Sequence, residues 1–186
     1  MQEIRFHGRG GQGTVMASVI LAKAFFKAGY YVQTFPVFGV ERRGAPVEAY
    51  LRLAHTKILI RSNVYTPDHV VVQDIKLLNN VDITKGLKPG GWILLNARDF
   101  SAVPELKGFK VAIVDAAAIA QAHKLGSRTQ PIINTAMTGA FAKIMGSPPM
   151  NALKEAIFKE IPVKQQENYE AAMTAYKAVM LNTAII

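Results

Sequence analysis

Four glycines fall within six residues, Gly8-Arg9-Gly10-Gly11-Gln12-Gly13, between an alternating segment and a helical one. Glycines at a strand-to-helix turn leave backbone amides open to an anion and let a phosphate or carboxylate come close. Arg9 adds a fixed positive charge beside them. A second cluster, Glu41-Arg42-Arg43, follows a Pro-x-x-Gly turn and precedes Gly44-Ala45-Pro46. Its two guanidinium groups suit bidentate recognition of the same chemical groups, and a solvated charged turn is the alternative. Asn134, which opens a helical stretch at Thr135, is a third candidate, with helix capping as its competing role.

Gly8, Gly10 and Gly13 also match the G-x-G-x-x-G spacing of dinucleotide sites, and that reading can be checked against its mechanism. Such a site needs an acidic residue roughly 20 positions on to take the ribose hydroxyl. Here the second strand ends in Gln33-Thr34-Phe35, and Glu41 comes only after Pro36. The first strand also carries Glu3, Arg5 and His7 on one face, where a strand buried on both faces is expected to be apolar. A tight turn that needs glycine for its backbone angles and binds nothing stays open beside the functional reading.

Other chemistries are excluded more directly. The 186 residues contain no cysteine, so the chain offers no disulfide, no thiolate nucleophile and no cysteine ligand for an iron–sulfur cluster. No phosphate loop ending in Gly-Lys-Ser/Thr, no G-x-S-x-G elbow and no H-E-x-x-H helix is present. His7, His55, His69 and His123 fall on separate elements. Asp74 and Asp115 end predicted strands, where they serve either a ligand or a helix cap. The 22 Lys and Arg against 13 Asp and Glu give a net charge of +9, but the basic residues are dispersed. That pattern points to acidic partners or phosphorylated ligands before nucleic acid. No run of 18 apolar residues and no signal-peptide pattern is seen, so a soluble, cytoplasmic protein without membrane contact is expected.

The elements that must position these residues read as α/β. Residues 2–7 alternate as a strand with one buried face, 14–28 repeat apolar residues at helical spacing up to Gly29, and 31–35 form a strand ended by Pro36. Residues 47–53 alternate again and are expected to pair with "ILIRS" (58–62) as an antiparallel hairpin. The runs "HVVVQD", "WILLN" and "KVAIVDA" read as parallel strands covered on both faces, with a short helix over 75–78. Residues 117–125, 135–145, 150–159 and 165–183 read as helices, the last with Tyr169, Met173, Tyr176 and Met180 as a core-facing stripe. The expected fold is a single α/β domain over 1–186: a mostly parallel sheet, an antiparallel hairpin, flanking helices and a helical C-terminal third.

"RFHGRGGQGTVMAS", "QTFPVFGVERRGAPVEAYLR" and "RSNVYTPDHVVVQD", in this order, resemble the gamma subunit of 2-oxoacid:ferredoxin oxidoreductases of the pyruvate or ketoisovalerate type. The likeness covers about the first 115 residues well; beyond them "NTAMTGAFAK" departs from the family pattern by placing Thr138 where a leucine is usual. The resemblance implies one subunit of a complex that decarboxylates a 2-oxoacid, pyruvate for choice, to an acyl-CoA while reducing ferredoxin. It further implies that thiamine diphosphate and iron–sulfur clusters sit on companion alpha, beta and ferredoxin-like delta subunits, and that this chain stands near the CoA side. The lack of cysteine agrees with that, as does Asn79-Asn80 without the G-D-G of a thiamine diphosphate motif. Under this reading Gly8 to Gly13, Glu41 to Arg43 and Asn134 contact CoA or a partner subunit, and the chain alone is inactive. An independent dinucleotide-binding oxidoreductase and an anion- or nucleic-acid-binding module remain as alternatives.

Overall fold

A computed structural model describes residues 1–37 and 44–182. Glu41, Arg42 and Arg43 lie outside the described residues, as does Thr183. Seven strands, Gln2–Arg9 (β1), Tyr31–Val37 (β2), Pro46–Ala54 (β3), His69–Val72 (β4), Trp92–Asn96 (β5), Lys110–Val114 (β6) and Met180–Asn182 (β7), build one sheet. Their order is β2-β3-β1-β4-β5-β6-β7, with β1, β4, β5 and β6 parallel. Thr14–Lys27 (α1), Ala116–Ala122 (α2), Asn134–Met145 (α3), Met150–Glu160 (α4) and Gln165–Ala178 (α5) are the helices.

Period-2 alternation decides what each strand gives to each side. Ile4, Phe6, Leu51, Val71, Leu94 and Ala112 join a core with helical residues such as Ile20, Phe25, Phe141, Leu153 and Ala172. Val70, Val72, Ile93, Leu95 and Ile113 pack on the other side against Ile83, Leu87 and loop residues that include Phe100 and Leu106. Both faces of the parallel strands are therefore covered, one by helices and one by loops and 3-10 turns. Within the helical layer α3 and α5 pack closely: a Cβ on Gly139 would lie 2.0 Å from the Ala172 carbonyl oxygen.

Four expectations need correcting. The first strand does not have one buried face, because β1 lies inside the sheet, where Arg5 and His7 are almost fully enclosed. Strand β2 runs through Pro36; it is an edge strand, where a missing N–H does no harm. The hairpin partner of β3 is β2, not "ILIRS": β3 is already paired on both sides, with β2 and β1, so it offers 58–62 no free edge. The last helix ends at Ala178 and the chain then adds β7 antiparallel to β6. Of the expected stripe, Tyr169 and Tyr176 pack half-buried against the core, Met173 is half-buried and Met180 is exposed, while the fully buried α5 residues are Asn168, Ala171, Ala172 and Ala175. Close approach to α3 leaves room only for small side chains on the facing stripe.

Candidate functional site

The chain leaves β1 through the glycine loop into α1 on the helical side, and leaves β4 into a 3-10 turn, Ile75–Asn79, that packs on the other side. Adjacent parallel strands whose continuations diverge in this way open a crevice at their carboxyl ends, the usual ligand position of open α/β sheets. Arg9, Gly10, Gly11, Gln12, Gly44, Asn96, Gly126, Ser127 and residues 129–133 line it.

The loop is held from several sides. The Arg9 Nε donates to Asp74 Oδ2 at 2.7 Å and its Nη1 to the Gly44 carbonyl at 3.2 Å. The Gln12 Oε1 accepts from the Arg9 amide, and Gly10 donates its own amide to the Ala45 carbonyl. Asp74 also caps the 3-10 turn through Lys76 N, so a single carboxylate ties both exits from the crevice together. Asp115 caps α2.

Not all six loop residues face the opening. Gly11, with φ +93°, has open space where a Cβ would stand. Gly8 lies beneath, where a Cβ would come 2.0 Å from Thr14 Oγ1 and 2.9 Å from Gln73 Oε1. Gly13 precedes α1 with φ +71°, and a Cβ there would meet the Asn134 Nδ2 at 2.7 Å. Asn134 is thereby brought against the loop it was only suspected of serving. Its Oδ1 accepts from the Thr135 amide one residue on, inside α3 and not at its N-cap, which is Ile133.

The start of α1 is electrostatically bare: no side chain caps it and no acidic residue stands in its first turn. The positive end of its dipole and its first amides lie beside Arg9. Exposed Arg98 and Arg128 stand in segments adjoining Asn96 and Ser127 of the lining. Free helix amides are chemically suited to an anion, and the Arg9 charge beside them is itself paired with Asp74.

Sequence reasoning missed the far wall. Asn96 accepts from the Ala116 amide through Oδ1 and donates Nδ2 to the Gln73 carbonyl, linking β4, β5 and the start of α2. Gln73 takes the Thr14 hydroxyl on Oε1 at 2.6 Å, and its buried Nε2 has no hydrogen-bond partner among the described residues. A polar residue ending an apolar parallel strand was the signal, and it applied to Gln73 and Asn96 as well as to Asp74.

The face carrying Glu3, Arg5 and His7 is a hydrogen-bonded network. The Arg5 Nη2 donates to the Ile83 and Lys85 carbonyls at 2.9 and 2.8 Å, and its Nε donates to His7 Nε2 at 3.0 Å. His7 therefore uses Nε2 as an acceptor and turns Nδ1 toward Glu48, 3.5 Å away. Burial is the main reason its pKa falls to about 4; Glu48 opposes the fall and Arg5 adds to it. Burial also pushes the Tyr50 phenol upward, helped by its hydrogen bond to Glu48. Arg52 donates to Glu3 and Gln33 in the same layer.

The dinucleotide reading fails on topology as well as on the missing acid. Strand β3 lies between β1 and β2, so the end of β2 stands two strands from the glycine loop, about 10 Å away instead of about 5 Å.

Known proteins share this architecture and sequence. The family model described as "Pyruvate ferredoxin/flavodoxin oxidoreductase" matches residues 3–178. The pyruvate synthase subunit PorC of Methanocaldococcus jannaschii is 46% identical over 182 residues, covering 97% of this chain and 98% of that one. The common subunit gamma of the pyruvate/ketoisovalerate oxidoreductases of Thermococcus kodakarensis is 45% identical over 186 residues, covering 97% and 98%. The crystal structure of the pyruvate oxidoreductase subunit PORC of Thermotoga maritima superposes with a TM-score of 0.82 at 37% identity, over 97% and 98% of the two chains. A 2-oxoglutarate:ferredoxin oxidoreductase from Magnetococcus marinus, solved with 2-oxoglutarate, coenzyme A and succinyl-CoA bound, shares the fold at 22% identity and a TM-score of 0.72, with 95% of this chain matching 30% of a longer one. The chain belongs to the pyruvate ferredoxin/flavodoxin oxidoreductase family, as the gamma subunit of a pyruvate/2-oxoacid ferredoxin oxidoreductase.

Proposed function

We propose that the glycine-loop crevice holds a phosphate-bearing part of coenzyme A, while the chain as a whole, one domain over 1–186, docks onto the subunits that carry out decarboxylation and electron transfer. Pyruvate is the substrate this reading favours, since the two curated relatives described above are named for pyruvate or pyruvate/ketoisovalerate enzymes. The complex then comprises alpha, beta and ferredoxin-like delta companions, passes electrons to ferredoxin and works in the cytoplasm. Among the described residues no helix is long and apolar enough to cross a membrane.

The observation that carries the reading is the bare N-terminus of α1 beside an Arg9 fixed by Asp74 and Gly44. Gly11, with open space where a Cβ would stand, gives phosphate oxygens access to the backbone, and Asn134 packs against Gly13 from α3. This chain's part in turnover is to bind and orient the acyl acceptor. Thiamine diphosphate and iron–sulfur clusters do not fit here: the chain has no cysteine, and Asn79-Asn80 lack a preceding G-D-G. Those groups supply carbanion and electron-transfer chemistry on companion chains. Glu41, Arg42 and Arg43 belong to the same proposal as further contacts to CoA or a partner subunit. Calorimetric titration of the assembled complex with coenzyme A tests it. Arg9→Ala should weaken binding about tenfold or more, near 1.4 kcal/mol, and an unchanged Kd would overturn the assignment.

A further inference from the structure

"Lys57-Ile58-Leu59-Ile60-Arg61" has the composition of a strand yet makes no sheet. Its aliphatic side chains lie outward, Leu59 at 78% and Ile60 at 46% exposure. Among the described residues no backbone-to-backbone hydrogen bond joins residues 55–66 to the rest of the chain. The segment is nonetheless held in shape. The His55 ring packs on Tyr30 at 4.6 Å, the Gln33 Nε2 donates to the Ile60 carbonyl at 3.0 Å, the Arg52 Nη2 donates to the Asn63 carbonyl at 3.2 Å, and Val64 is buried. Held at both ends, apolar and without backbone pairing, the segment has the form of a strand waiting for a partner.

Charge decides which partner. Residues 55–63 carry Lys57 and Arg61 and no acid. Antiparallel pairing with a second copy about Leu59 would set Lys57 against Arg61, and parallel pairing would set each against itself. Like charges directly opposite weaken a strand pair, so the segment is not self-complementary. A different surface, apolar in the middle with carboxylates at both ends, complements it. The same fold occurs elsewhere as part of a chain more than three times as long.

We infer that residues 57–61 are a docking strand for another subunit of the same oxidoreductase, one presenting an apolar groove or sheet edge flanked by acidic residues. The inference rests on the chain's place in a multi-subunit complex. The test is assembly of the chain with the companion subunits that co-purify with it, followed by size exclusion, with hydrogen exchange on the wild-type complex. Leu59→Asp and the double change Lys57→Glu with Arg61→Glu should each raise the dissociation constant tenfold or more. Val163→Asp, at an exposed apolar residue between α4 and α5, should leave it within twofold. The amides of 57–61 should exchange at least tenfold more slowly in the complex than in the isolated chain. Unchanged assembly of the variants, or equal exchange in both states, would overturn the inference. So would protection that appears in the isolated chain as its concentration rises, because that would make a second copy the occupant. Failure of the wild-type chain to assemble at all would remove the subunit reading and this inference together.

Discussion

The two faces of β1 are built from different physics. Ile4 and Phe6 point into the helical layer, where Phe6 meets Phe141 at 6.3 Å between ring centroids within an apolar cluster. Arg5 and His7, one residue away in each direction, enter a layer of carbonyls, carboxylates and a phenol. The first face stabilises by removing surface from water, which tolerates repacking and ignores pH. The second is held by directed hydrogen bonds whose donors and acceptors must match, so it fixes the register of β1 against β3 and with it the exit angle of the glycine loop. The anion-binding role proposed for the loop depends on both: one face for stability, the other for aim.

The contrast can be broken most severely on the apolar side. Phe6→Ala should lower stability by about 3–5 kcal/mol, by the same amount at pH 5 and pH 7, as measured by urea unfolding. The polar side should show the opposite signature. His7 is neutral in the folded protein, with its pKa pulled down from 6.5 to about 4, mainly by burial. The unfolded chain binds that proton first as pH falls, so stability present above about pH 6.5 is lost progressively toward pH 4, by on the order of 2–3 kcal/mol. His7→Gln keeps an acceptor for Arg5 and a donor for Glu48 without the titration. Its unfolding free energy should decline less between pH 6.5 and 4, and parallel declines would show that His7 is not the group responsible. A smaller effect is expected within the helical layer. Gly139→Ala drives a methyl against the Ala172 carbonyl and should cost about 1–3 kcal/mol, read as a lowered Tm without change in the pH profile.

The sequence was clearest where one rule acted alone. The apolar runs of β4, β5 and β6 and the caps at Asp74 and Asp115 are local signals, and all stand in the structure. The alternation in β1 was visible but its meaning was not: polar residues at period 2 ordinarily face water, and only the carbonyls of Ile83 and Lys85, some 80 residues away, make burial of Arg5 acceptable. "ILIRS" misled for a related reason. Strand propensity is legible in a segment, whereas the filling of both sides of β3 by β2 and β1 is a property of the whole topology. The glycine loop stood out in the sequence as a candidate, but the nearness of Asn134 to Gly13 and the wall formed by Asn96 and residues 129–133 depend on contacts that no spacing rule encodes.

The central claim is that the start of α1 and its glycine loop hold the phosphate of the acyl acceptor, and Asn134→Asp addresses it most directly. The change is nearly isosteric, keeps the acceptor for Thr135, and sets a negative charge where the phosphate is expected, beside Gly13 and the positive end of α1. In the assembled complex the KM for coenzyme A should rise about tenfold, near 1.4 kcal/mol, with the KM for pyruvate and the kcat at saturating coenzyme A within twofold of wild type. An unchanged KM for coenzyme A, or equal rises for both substrates, would contradict the account.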